Sequence, residues 1–66
     1  MTIPAPHQLR VLNEEAELAE RVDKLYAFMV SERFDAVPDD EQDRMEKQHE
    51  AMKVYRDVLR ERIANF

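Results

Sequence analysis

The chain reads as all-α: an antiparallel two-helix hairpin with a short N-terminal arm, assembling with copies of itself into a helical bundle. Three observations predict this. Two long segments repeat apolar residues at helical spacing, one Pro-containing break separates them, and the chain has only 66 residues. A hairpin gives a core two helices thick, and two helices cannot cover each other's apolar faces. Domains this small are marginal alone and usually need disulfides, a metal or a partner chain. Cysteine is absent, so disulfides and thiolate metal sites are excluded. The missing core must therefore come from another chain or a ligand, and the pattern argues for an oligomer.

The whole chain, 1–66, reads as one domain: an arm over 1–5, helix one over 6–31, a turn over 32–39 and helix two over 40–65. Thr2, Pro4 and Pro6 discourage helix in the arm, although proline suits a first helical turn. In helix one, Val11, Leu18, Val22, Leu25 and Met29 recur at steps of three, four and seven and share one face. Leu12, Ala19 and Tyr26, extended by Leu9 and Ala16, form a second stripe about 100° to one side. That arc is wider than one partner helix needs. Arg10, Glu14, Glu17, Arg21 and Lys24 mark the wetter side, with Glu17–Arg21 and Glu20–Lys24 in the favoured i,i+4 order.

In the turn, Phe34 and Val37 are placed to plug the end of the hairpin, and Pro38 opens helix two. Asp39 followed by Gln42 has the capping-box spacing, and Asp40, Glu41 and Asp43 suit the positive end of the helix dipole. Helix two carries Met45, His49, Met52, Tyr55, Leu59, Ile63 and Phe66 at steps of three or four, with Ala51, Val54 and Val58 as a weaker second stripe. With a short turn centred near residue 35, facing positions of the two arms sum to about 71. That sets Val22 against His49, Ala19 against Met52, Leu12 against Leu59 and Tyr26 against Met45.

Composition removes several function classes. Glycine is absent, which excludes Gly-rich phosphate loops. A net charge of −5 makes a poor DNA binder, because non-specific affinity comes from neutralising phosphates. A few clustered cations still suffice for a small anion. No apolar run approaches the roughly 20 residues of a membrane span, and no secretory signal is visible, so the expected location is cytoplasmic.

Few groups are equipped for chemistry. Ser31 and Thr2 are the only hydroxyl nucleophiles of their types and the histidines number two, so no nucleophile–base–orienter set assembles. No enzyme activity and no cofactor are expected. Glu46 and His49 have the Glu-x-x-His spacing of di-iron bundles. The inner-stripe Glu15 is expected opposite Arg56, about 10 Å along the helix from the level of His49, so it reads as an ion-pair partner and no metal site is assigned. His7, at the start of helix one, reads as an exposed terminal histidine with the capacity to stack on a base or donate to a phosphate. Tyr26 and Tyr55 read as packing residues whose hydroxyls need water or a partner. Lys24, Arg21, Arg10, Arg60 and Arg62 are the cationic candidates.

The run Leu9-Arg10-Val11-Leu12-Asn13-Glu14-Glu15, followed by Val22-Asp23-Lys24-Leu25, resembles small phage helical-hairpin proteins of the anti-CBASS sponge type, to which anti-Thoeris sponges are related. That family shows an aromatic, an Arg, then Leu-Ser/Asn, and a Lys fifteen residues after the aromatic. Arg10, Leu12, Asn13 and Lys24 match it, and Gln48 to Met52, Tyr55 and Arg62-Ile63-Ala64 to Phe66 resemble its closing helix. The resemblance implies a phage immune-evasion protein in the cytoplasm of an infected bacterium. Such proteins form homo-oligomers, typically hexamers, and hold cyclic dinucleotides or trinucleotides unaltered between subunits. It implies that Lys24 contacts ligand phosphate and that Arg62 serves a second pocket. Leu9 stands where the family has its base-stacking aromatic, so either His7 or Tyr26 supplies that contact or the ligand differs. The reading from a different class is a helical protein–protein interaction module that docks its surplus apolar stripe on a host protein.

Overall fold

The computed structural model describes residues 3–66. Two helices, α1 (Pro6–Met29) and α2 (Asp39–Ala64), pack against each other and are joined through a short 3-10 turn at Glu32–Ala36. The molecule is a rod of 50 × 16 × 14 Å. Its accessible surface is 5235 Å², whereas a compact monomer of this size exposes about 4,400 Å². A rod of two helices leaves much of each helix in water.

α1 starts where Pro6 occupies the first helical position, with Ala5 extended before it. The Gln8 side chain reaches back and accepts the Ala5 N–H at 2.8 Å. Alanine has no side-chain acceptor to reciprocate, so only half of a capping box forms. At the other end, the Ser31 hydroxyl donates to the Phe28 carbonyl at 2.6 Å, and the Ser31 N–H reaches the same carbonyl at 3.0 Å. A serine that satisfies itself on the preceding turn competes with continuation of the helix. The chain then reverses without any positive-φ residue among the described ones.

Gln42 holds the turn in place. Its side-chain amide donates to the carbonyls of Phe34 and Val37, each at 2.9 Å. The expected capping box at Asp39 is therefore not made. Pro38 is the N-cap residue, and Gln42 is engaged with the turn instead. Asp39, Asp40 and Glu41 do lie in the first turn of α2, where carboxylates favour the dipole. Phe34 is half-buried edge-on against Phe28, with ring centroids 6.1 Å apart, and Arg33 covers the Phe28 face at 5.6 Å. These rings close the end of the hairpin.

The core is Val11, Leu18 and Val22 of α1 around Leu59 of α2, with Met52 and Ile63 packed against it. Leu59 is only 1% exposed. Tyr55 and Phe66, expected on the inner stripe, are exposed, while Lys53 and Arg56 are half-buried. Steps of three and four drift around a helix. Tyr55 falls on the solvent edge of the strip that one partner can cover, and Arg56 falls on its other edge.

The register also differs from the expectation. Tyr26 stacks on His49 and Glu15 pairs with Arg60, so facing positions sum to 75 rather than about 71. Tyr26 thus meets His49, not Met45, and Glu15 meets Arg60, not Arg56. The reason is the link. It is not a tight turn, because its 3-10 turn lies beside the start of α2 and slides the arms by four residues, about 6 Å at 1.5 Å per residue. No described helix is long and apolar enough to cross a membrane.

Candidate ligand-binding site

The helical period sorts the candidate residues onto different faces. On α1, Leu9, Asn13 and Lys24 are spaced by four and eleven, so they share an outward face, and all three are exposed. The same face carries Glu20. The Lys24 ammonium donates to the Glu20 carboxylate at 2.9 Å, both side chains being largely in water. That hydrogen bond from Lys24, then its charge and that of Arg21, hold the Glu20 carboxyl below its ordinary range. The companion pair, Glu17 with Arg21, does not form. An anion arriving at Lys24 must compete with Glu20.

The other candidates lie elsewhere. His7, two residues before Leu9, and Tyr26, two residues after Lys24, are each about 200° around the helix from those neighbours. Arg10 is exposed beside the Leu9 face. Arg62 is exposed in the last turn of α2, where a cation also complements the dipole. Tyr26 is 56% exposed and lies over the His49 ring, with centroids 5.9 Å apart and planes 27° from parallel. The structure therefore gathers Leu9, Asn13 and Lys24 on one face and leaves His7, Tyr26 and Arg62 outside it.

Distance adds a constraint. Leu9 and Lys24 are fifteen residues apart on one straight helix, which is about 22 Å at 1.5 Å per residue. One small ligand cannot touch both on a single chain. If both serve one ligand, they come from different copies.

A second group lies along α2; its members read singly in the sequence but not as one row. Lys53, Arg56 and Arg60 recur at steps of three and four, forming a cationic row on α2 that His49 extends by one turn. Arg60 donates to Glu15 at 2.8 Å, and Lys53 pairs with Glu50 at 3.0 Å. Arg56 has only its neighbour Asp57, at 3.6 Å. The Arg56 Nε and the His49 Nε2 are buried without a hydrogen-bond partner. His49, expected to be packed and hydrogen-bonded, is packed but leaves this nitrogen unmatched. The spacing was available in the sequence, but such a row ordinarily reads as a solvated stripe. Among the described residues no group of three or more acidic or histidine side chains is placed to hold a metal.

A family model described as Sequestin matches residues 5–65. No curated protein and no solved structure matches the chain. The match covers both arms and the turn, and it fits the resemblance to sponge-type anti-CBASS hairpins. The family name denotes sequestration, a binding role rather than a catalytic one.

Proposed function

Because the chain belongs to the Sequestin family, we propose that it is a non-enzymatic phage sponge that captures cyclic oligonucleotide immune signals in clefts between its own copies. The family match over residues 5–65 carries this reading. The geometry supports it in two ways. The exposed apolar side chains Leu9, Tyr26, Val54, Tyr55 and Val58 give copies a reason to associate. The separation of Leu9 from Lys24 requires that a cleft using both be built by two copies.

In this reading Lys24 supplies a charge-assisted bond to a ligand phosphate, stronger than a neutral one. Asn13 adds a donor and acceptor on the same face, Arg10 its margin, and Arg62 a cation from the second arm. Leu9 offers apolar contact without the stacking that an aromatic provides, about 1–3 kcal/mol per base. The working place is the cytoplasm of an infected bacterium.

Titration calorimetry with a panel of cyclic dinucleotides and trinucleotides tests the reading. Heat from at least one member is expected, and Lys24→Ala weakens it tenfold or more while native mass spectrometry shows the assembly intact. A silent panel at tens of micromolar overturns the function. A Lys24→Ala variant that binds as the parent does overturns the site.

The exposed Val54, Tyr55 and Val58 stripe favours a second reading, a module that docks on a host protein. Affinity capture from host lysate separates the two. One stoichiometric protein supports docking, whereas a co-purifying small anion absorbing near 260 nm supports the sponge; the chain has no Trp to mask it.

A further inference from the structure

We propose that one flank of the hairpin seam is an interface between two copies of this chain, in which Asp23 of each copy pairs with Arg56 of the other. This rests on the self-association that the functional reading requires.

The flank is defined by two observed contacts. Tyr26 stacks on His49, and Glu15 binds Arg60, so both pairs bridge the same side of the seam. Between them, Lys53 and Arg56 continue the row on α2, and Ala19 and Asp23 continue the row on α1. Arg60 and Lys53 already have carboxylate partners. Arg56 does not. Its side chain is 20% exposed, its Nε is buried without a hydrogen bond, and its nearest acid is the adjacent Asp57 at 3.6 Å. A guanidinium N–H shielded from water without an acceptor is costly, and a second carboxylate can meet it.

Asp23 is the converse case. It is exposed, it makes no ion pair among the described residues, and of its helical neighbours Ala16, Ala19, Tyr26 and Ala27 are apolar while Glu20 is engaged with Lys24. An unpaired carboxylate and a guanidinium whose Nε lacks a hydrogen bond thus border one strip. Within a chain they do not meet. By the observed register Arg56 is level with Ala19, and Asp23 is one turn further on, about 6 Å. A copy laid antiparallel across this flank, with its Asp23 against Arg56, makes the same pair twice by two-fold symmetry. The same placement sets Tyr26 opposite Ala16, large against small. Desolvation offsets much of the attraction in such a pair, so its role is to set the register of the two copies.

Charge reversal tests this with the full chain. Asp23→Arg and Arg56→Glu are each expected to raise the concentration at which the assembly dissociates at least tenfold, followed by native mass spectrometry and sedimentation. An equimolar mixture of the two, unfolded and refolded together, is expected to return to within about threefold of the parent, because every inter-copy pair is again opposite in charge. A role within one chain cannot be rescued by mixing. Variants that assemble like the parent, a mixture as dispersed as its components, or a parent that is monomeric at tens of micromolar overturns the interface. If Arg56→Glu loses its helical circular dichroism, Arg56→Gln replaces it. A loss of at least threefold in assembly is then expected, and no loss overturns the proposal. Nucleotide titration of the parent is a separate readout. Rescue without ligand heat upholds the interface and overturns sequestration, and heat without rescue does the reverse.

Discussion

The two arms are nearly equal in length, yet they build the core unequally. α1 buries Val11, Leu18 and Val22, while α2 buries Leu59 alone. α1 presents a continuous apolar row to its partner. α2 anchors with one leucine, flanked by half-buried Met52 and Ile63 and by a cationic edge. The contrast teaches that apolar spacing identifies a helix more readily than the face it buries. α2 has a second apolar stripe, Ala51, Val54 and Val58, and the hairpin leaves it in water.

The sharpest way to break this comparison is to remove the single anchor. Leu59→Ala, at constant protein concentration, is expected to lower stability by about 2–5 kcal/mol, the range for truncating a fully buried leucine. Urea melts read by circular dichroism measure it, and a loss no larger than that from Val54→Ala would show that α2 has no privileged contact. The next effect lies in the link. Gln42→Ala deletes two part-buried hydrogen bonds to the turn, at about 1 kcal/mol each. An unchanged melt would mean that the turn is held by Phe34 against Phe28 instead.

The smallest effect concerns the outer face of α1. The Glu20 carboxyl is held below its ordinary range, first by its hydrogen bond to Lys24 and then by charge. The sign follows from linkage: a depressed folded value means the contribution is present above the unfolded value and is lost as pH falls through the folded one. Glu20→Gln is expected to flatten that acid limb slightly. By freeing Lys24, it should also strengthen anion binding several-fold. Weaker binding in this variant would show that Glu20 itself belongs to the site.

Much of the hairpin was legible along the chain. Val11, Leu18 and Val22 declared the inner face of α1 by their spacing, and the Pro38 region declared the break. The register was not legible. It depends on Gln42 reaching back to Phe34 and Val37, a contact across the turn that no local pattern records. The errors at Arg56 and Met45 followed from that slip, since a shift of one helical turn reassigns each facing pair. Spacing reads Leu9 as part of the second apolar stripe and Lys24 as part of the wetter side, whereas in the structure both lie with Asn13 on one exposed face. The shielded Arg56 Nε was not legible either, because a cation's burial depends on which residues of the opposite arm lie beside it.

By itself the sequence determined two amphipathic helices, the break between them, the shortage of catalytic groups and an apolar arc too wide for one partner, because periodicity, composition and proline act locally. Only the tertiary structure decided which part of that arc is covered, which charges meet and which stay unmatched. Those outcomes depend on how far one rod slides along another, and the packed turn sets that distance.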